Sequence, residues 1–408
     1  MGRSSLLLLL LLLLLMLLCA FAGGSLATMC NASDRDALLA LKAQIIDTQG
    51  YFNDWDPQTD CCIWTGVACD NTHSRVNSLS LWGNCKNCAR NNSLIVKPKL
   101  NASSFGASLS NLTALTQLTF LNVQIRFRFS IPQAIFTLAN LESLLLTDCQ
   151  FRGPTIPADV GKLVKLTALF LTGNRFPGGL PDFIGNLKNL NLLSLENNQM
   201  TSIGSTRITL LKELDYLDLA HNKLSGPIPK WLGGITLRGA PNGALDLTFN
   251  QFTGSFPGEL CNIKPKLLVL SLDHNKLSGP IPAAIGECRQ LWTLTLMDNE
   301  LSGPLPHELG NLKNLQNLFV RNNELTGPLP KELGNLHNFN QMDISHNKIT
   351  GAIPSNYGRT FEPDFDIVDF TCNMLTGPIP LAMQALGEFS FHPGNPGLCG
   401  YPLSNKCK

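Results

Sequence analysis

The segment Leu217-Asp-Leu219-Ala-His-Asn222-Lys-Leu224-Ser-Gly226-Pro-Ile-Pro229 returns almost unchanged as Leu270-Ser-Leu272-Asp-His-Asn275-Lys-Leu277-Ser-Gly279-Pro-Ile-Pro282. The position of Asn222 recurs as Asn84, Asn174, Asn198, Asn250, Asn275, Asn299, Asn323, Asn347 and Asn373, with Val123 and Cys149 filling it in two other copies. That makes twelve repeats, most of them 24 to 28 residues apart. A period of this length marks a solenoid, in which each unit buries its apolar face on its neighbours. Alternating leucines such as Leu217 and Leu219 predict a short strand with one face buried, stacked in parallel on the next. The Asn follows the strand, where its amide can satisfy turn backbone that burial would leave unpaired. Gly226 permits a tight bend and Pro229 ends regular pairing. Chance strand-turn signals could imitate one copy, but not ten asparagines at near-constant spacing.

Working outward, the chain divides into a signal peptide at 1–22, an N-terminal cap at 23–75, repeats at 76–388 and a C-terminal cap at 389–408. Arg3, the apolar run Leu6 to Leu18 and the small-x-small triplet Ala20-Phe21-Ala22 are the signal-peptide features. The alternative is an uncleaved membrane anchor, for which the run is short against a span of about 20 residues. The expected mature protein is secreted, to the extracellular space or cell wall, with no membrane span after cleavage. Lys plus Arg number 31 against 30 Asp plus Glu, a net charge of +1. That excludes the basic excess a nucleic-acid partner requires. No cofactor is implied. Asn31, Asn91, Asn101 and Asn111 each open an Asn-x-Ser/Thr glycan acceptor triplet.

Asp34 to Ile46 reads as an amphipathic helix with Ala37, Leu38, Leu41 and Ile45 on one face, Ser33 as its N-cap and Asp36 in its first turn. It would close the uncovered end of the stack, with Trp55 and Trp64 over the first leucines.

The Leu-x-Gly-x-Ile-Pro half of the repeat resembles the plant extracellular class of leucine-rich repeats. Asp36-Ala-Leu-Leu-Ala-Leu-Lys42, Trp55 and Cys61-Cys62-Ile-Trp64-Thr-Gly66-Val67-Ala-Cys69 resemble the N-terminal cap of that class, and Asn395-Pro-Gly-Leu-Cys399 through Cys407 its C-terminal cap. The resemblance covers nearly the whole mature chain. It implies an α/β repeat fold, a right-handed plant-type solenoid of about twelve leucine-rich repeats with disulfide-stapled caps. The chain is similar to polygalacturonase-inhibiting proteins, to DNA-damage-toleration-type leucine-rich-repeat proteins and to the ectodomains of receptor-like proteins. It departs from the inhibitors in its larger repeat number, in an insertion after Asn84, and in the repeat around Asn198. There Thr201-Ser-Ile-Gly-Ser-Thr replaces the Gly-x-Ile-Pro half.

Of thirteen cysteines, Cys19 lies in the signal, leaving an even set of twelve. In a secretory chain these read as disulfides, though sequence does not fix their connectivity. The resemblance implies Cys30 with Cys61 and Cys62 with Cys69. Cys399 and Cys407 would close the other cap, Cys261 and Cys288 would bridge equivalent helical regions of adjacent repeats, and Cys85 and Cys88 would form a local structural bridge. Cys149 and Cys372 belong to the third and twelfth repeats, roughly 43 Å apart at about 4.8 Å per strand. Both are expected as free thiols, with Cys149 buried and Cys372 on the concave side.

Residues seven, six, four, two and one before the recurrent Asn should face the concave surface. Its acidic members are Glu142, Asp148, Glu196, Asp215, Asp218, Asp246, Asp273, Asp298, Asp343, Asp366 and Asp369, and its one strongly basic member is Arg321. Phe170, Tyr216, Phe249, Trp292 and Phe319 are interleaved with them. A basic partner would be steered to such a face, with aromatics as anchors. The expected partner-binding residues are Glu196, Asp215, Tyr216, Asp218, Asp246, Phe249, Asp273, Trp292, Asp298, Phe319 and Arg321. Against this, Asp four before the Asn is generic in the family, and the aromatics could serve cross-strand packing alone.

The functional expectation is a secreted binder of a protein or peptide, with a basic-surfaced pectinase as one candidate partner. A receptor-like or scaffold module working with a receptor kinase ectodomain is the alternative. An enzyme is not expected. Asp218 and Asp246 lie about 5 Å apart on adjacent strands, matching the carboxylate gap of a retaining glycosidase. An open curved sheet, however, should neither raise their pKa nor exclude water. His221, His274 and His346 sit on strands roughly 10 to 14 Å apart, too far to share one metal ion.

Overall fold

A computed structural model describes residues 30–45, 47, 50–82, 108–123, 130–238, 243–265, 267–357 and 368–407. The signal region, Cys85, Cys88, Asn91, Asn101 and Asp366 lie outside the described residues.

The spine is one 13-stranded sheet. Strand β1 (Val67–Cys69) belongs to the N-terminal cap and runs antiparallel to β2 (Val76–Trp82). The parallel series continues with β3 (Gln117–Leu121), β4 (Ser143–Thr147), β5 (Ala168–Phe170), β6 (Leu192–Ser194) and β7 (Tyr216–Asp218). It ends with β8 (Ala244–Asp246), β9 (Val269–Ser271), β10 (Thr293–Thr295), β11 (Asn317–Phe319), β12 (Gln341–Asp343) and β13 (Val368–Asp369). Twelve parallel strands match the twelve copies counted in the sequence. Their central leucines pair in register, Leu217 with Leu245 and Leu270 with Leu294, and all four are fully buried. Short 3-10 turns, most of them entered from a proline such as Pro229, Pro282 or Pro306 and one from Ser205, return the chain along the opposite side.

The Gly-Pro-Ile-Pro half does more than bend. Ser225–Pro227, Gln251–Gly254, Lys276–Gly279, Glu300–Gly303, Glu324–Pro328, Lys348–Ala352, Met374–Pro378 and Gly397–Cys399 form a second, eight-stranded sheet. Gly226 sits inside it at φ +79°, and a Cβ there would meet nothing within 4 Å. The backbone conformation, not lack of room, requires glycine.

The asparagine ladder is the polar counterpart of the leucine core. Asn299 Nδ2 donates to the carbonyls of Leu296, Met297 and, one repeat earlier, Leu272, at 3.2, 3.1 and 3.0 Å. Its Oδ1 accepts the Leu277 N–H at 3.0 Å. Asn174, Asn198, Asn222, Asn250, Asn275, Asn323, Asn347 and Asn373 donate in the same three-carbonyl pattern. Cys149 substitutes in kind: its buried thiol lies 3.5 Å from the Phe120 carbonyl and 3.2 Å from that of Thr147. Burial pushes that thiol up to about 12. The ladder also runs one step past the sequence count. Asn395 in the C-terminal cap accepts the Leu375 N–H and donates to the Phe370 and Phe391 carbonyls.

At the N-terminal end, helix α1 spans Ala32–Lys42, and its N-cap is Asn31, whose Oδ1 accepts the Ser33 N–H. Ser33 is therefore inside the helix, and the acidic residue of the first turn is Asp34, not Asp36. The expected cap was displaced because an equally good cap residue stands two positions earlier. Asp34 is fully buried and takes a forked pair of bonds from Arg75, at 2.8 and 3.0 Å, plus the Val76 N–H at 2.9 Å. This ties α1 to β2. Trp55 and Trp64 stack at 5.6 Å, both buried. Disulfides join Cys30 to Cys61, Cys62 to Cys69, Cys261 to Cys288 and Cys399 to Cys407, and Cys149 and Cys372 are free. Asp34→Asn would remove the charge from the Arg75 fork, and a loss of about 2 kcal/mol is expected. Thermal unfolding followed by circular dichroism would check it; an unchanged midpoint would show that the fork does not hold the cap.

Candidate functional site: the concave strip of β6 to β11

Two columns of side chains dominate the concave face. The first lies four residues before each ladder Asn: Ser194, Asp218, Asp246, Ser271 and Thr295 are consecutive register partners across β6 to β10. Asp218 is only 3% exposed. It accepts hydrogen bonds from the Ser194 and Tyr216 hydroxyls, each at 3.1 Å, and from the Ala220 N–H at 3.0 Å. Asp273 is also buried and accepts the Met297 N–H at 2.7 Å. Asp343 is buried and accepts from the N–H and hydroxyl of Ser345. Asp218 and Asp273, expected as exposed contact residues, are therefore mostly structural in their bonding. Asp218 and Asp343 fold back on their own turns, whereas Asp273 reaches the turn of the next repeat. Phe170 is likewise buried.

Burial has an electrostatic consequence that residue spacing alone does not display. The Asp218 carboxyl is pushed up to about 7, first by burial, then by the charges of Asp246 and Glu196. Asp273 is pushed up to about 7, mainly by burial. Asp246, Glu196 and Asp343 are raised for the same leading reason. An open sheet was expected to leave these groups unperturbed. That expectation was wrong, because each carboxyl sits low between neighbouring strands and beside another carboxyl. The Tyr216 hydroxyl is raised as well, by burial and by Asp218.

The second column lies one residue before the Asn and adopts left-handed backbone in repeat after repeat. Asn197, His221, Phe249, His274, Asp298, Asn322, His346 and Cys372 have φ between +52° and +55°. Asn, Asp and His tolerate this region; a bulky Phe rarely enters it. Phe249 does so while 43% exposed. Its ring is stacked between His221 and His274, with centroids at 4.1 and 4.0 Å. The column continues through His274 Nε2, 3.3 Å from Asp298, and Asn322 Nδ2, which donates to Asp298. The phenyl ring fills the space between the two imidazoles, so they cannot share an ion. Burial lowers the His221 pKa. Trp292 is 42% exposed; Arg321 is exposed, and Glu196, Asp215, Tyr216, Asp246, Asp298 and Phe319 are partly so.

One other cluster has metal-ligand composition: Cys30, Asp60, Cys61 and Cys62 within 4.8 Å of one another. Its three sulfurs are consumed in disulfides to Cys61, Cys30 and Cys69, and metal binding by cysteine needs a thiolate.

Family models agree with this architecture. A leucine-rich-repeat N-terminal domain matches residues 31–70, and leucine-rich-repeat models match 164–224, 266–288 and 314–336. The chain carries leucine-rich repeats. Among curated relatives, this leucine-rich-repeat chain is 28% identical over 274 residues to the tomato (Solanum lycopersicum) receptor-like protein EIX1, covering 65% of this chain and 26% of that protein. It spans about a quarter or less of the length of the curated relatives it matches first. Among solved structures it is 26% identical to the plant peptide hormone receptor RGFR1 in complex with RGF2, with a TM-score of 0.60, covering 81% of this chain and 60% of that one. A plant ice-binding protein of 23% identity shares the fold at a TM-score of 0.58 over 93% of this chain and 99% of that one. The solenoid is thus that of plant receptor ectodomains. Among the described residues no helix is long and apolar enough to cross a membrane.

Proposed function

We propose that this leucine-rich-repeat protein is an extracellular recognition module that binds a protein or peptide with a basic surface along the strip from Glu196 to Arg321. Phe249 carries the reading. A large apolar side chain is held half-exposed in a backbone conformation that costs of order 1–3 kcal/mol, stacked between two histidines. The repeat imposes that backbone on the whole column, so what is unusual is the choice of Phe, and exposed aromatics beside charge are interface anchors. Trp292, Phe319 and Asp298 extend the strip, while Asp218 acts beneath it by setting charge. The receptor-like relatives favour recognition over inhibition of a pectinase, and binding over turnover.

The test is capture from plant extracellular fluid on the immobilised chain. Phe249→Ala is expected to weaken the captured partner at least tenfold, as for interface anchors generally. Asp298→Lys should weaken it further and flatten its salt dependence. Glu287→Lys, on an exposed convex turn, should change nothing. Identical capture by all four proteins would sink the concave-face reading. For the pectinase version, purified fungal polygalacturonases that release reducing ends at full rate in excess chain would end it.

A further inference from the structure

The residue that follows each ladder Asn forms a third column, past the turn from the concave strands. Gln199, Gln251 and Lys276 of this column open strands Gln199–Ser202, Gln251–Gly254 and Lys276–Gly279. Over five consecutive repeats the column reads Arg175, Gln199, Lys223, Gln251 and Lys276, so cation and amide alternate, and all five side chains are exposed. The columns on either side, one residue before and three residues after each ladder Asn, carry no carboxylate in these repeats. Among the described residues Arg175, Lys223 and Lys276 make no ion pair. Asp148 precedes the row, and Asp298 with Glu300 follows it. The uncompensated positive charge therefore has a defined length.

Stacking sets the spacing. At about 4.8 Å per repeat the three cations stand roughly 10 Å apart and span roughly 19 Å. An extended strand returns to one face every two residues, about 7 Å, and falls out of step with them. A polyproline II helix has three residues per turn at about 3.1 Å each, so an acidic residue at every third position recurs on one face at about 9 Å. An α-helix with an acidic residue at every seventh position returns at about 10 Å too, but its peptide groups are already bonded within the helix. Those of polyproline II are not, and the amides of Gln199 and Gln251 alternate with the cations to serve them. At Arg175 and Gln199 the row borders an open groove of about 500 Å³, lined also by Pro177, Gly153 and an already engaged Arg152. A groove of that size has room for prolyl rings.

We propose that this row is a second binding site, separate from the concave strip, that takes a proline-rich peptide in polyproline II conformation with an acidic residue at every third position. Arg175, Lys223 and Lys276 each pair with one carboxylate, and Gln199 and Gln251 donate to peptide carbonyls between them. The charge preference is opposite to that of the concave strip, so one chain can engage a basic partner and an acidic segment side by side.

A fluorescein-labelled peptide of three Glu-Pro-Pro triplets, titrated into the full chain and followed by anisotropy, tests this. Saturable, salt-sensitive binding is expected, about fivefold tighter than that of an isomer with its three glutamates adjacent. Lys223→Glu with Lys276→Glu should weaken it about tenfold or more at an unchanged melting temperature. Gln199→Ala with Gln251→Ala should weaken it several-fold, which charge attraction alone would not produce. Trp292→Ala should leave it intact, which separates failure here from failure of the concave-face reading. Equal binding of the two isomers, binding that survives the lysine reversals or ignores loss of both glutamines, no binding at millimolar peptide, or tighter binding of an acidic oligosaccharide of equal charge would each overturn the proposal.

Discussion

Asn299→Ala is expected to destabilise the protein by about 4 kcal/mol, the sum of several buried backbone groups left without partners at about 1–3 kcal/mol each. The substitution strands the Leu277 N–H and removes the amide shared by the Leu272, Leu296 and Met297 carbonyls. Water has little access, because Asn299 is only 9% exposed and Leu272, Leu277 and Leu296 are fully buried. In a protein of this size that corresponds to a fall in melting temperature of about 5 °C. Stability in a solenoid is carried by nearest-neighbour interfaces, so unfolding should also broaden or split around the tenth strand. Cys149 supplies an internal control. Its thiol already serves two carbonyls from the ladder position, so Asn299→Cys should lose less than Asn299→Ala. A melting temperature within 1 °C of wild type for the alanine variant would mean the ladder does not hold the turns.

The ladder was legible because a side chain with both donor and acceptor, recurring at one spacing after each strand, is what repeated pairing with turn backbone requires. Asn395 escaped because it follows Asn373 by only 22 residues and sits in Asn-Pro-Gly, which reads as a plain turn. Only the fold shows that this turn lies on the ladder axis. The second sheet escaped for a related reason. Gly226 and Pro227 are strand breakers by composition, yet stacking places eight such segments side by side and pairing follows. For the concave strip, register was readable and depth was not. Counting back from the recurrent Asn put Asp218 and Phe249 on the same face, but one is sealed under Ser194 and Tyr216 while the other stands out between two imidazoles. Which of two residues on one face is buried depends on neighbours about 24 residues away in sequence.

The same burial predicts an inverted pH dependence. Asp218 and Asp273 have an ordinary carboxyl value of 3.8 when unfolded and about 7 when folded. Below the unfolded value both states hold the proton and the native cluster keeps its full stability. Between the two values the unfolded chain ionises while the folded one stays protonated, so stability falls as pH rises toward 7 and levels off above it. A three-unit rise is worth about 4 kcal/mol for one group. One proton relieves much of the repulsion that Asp218 shares with Asp246 and Glu196, so the cluster as a whole should swing by about that amount rather than by multiples of it. Asp218→Asn keeps the shape and can still meet the Ser194 and Tyr216 hydroxyls and the Ala220 N–H, while removing the buried charge. It should raise the melting temperature at pH 8, leave it nearly unchanged at pH 4.5, and flatten the slope between. Asp36→Asn, on the exposed face of α1, should leave the slope as it is. Melting scans at half-unit steps from pH 4 to pH 8 would show this, and a native protein that gains stability toward pH 8 would refute it. The consequence for recognition follows from the same protons. As pH falls through about 7 the strip loses negative charge, so a basic partner should bind faster and more tightly above that pH than below it, and Asp218→Asn should remove part of that difference.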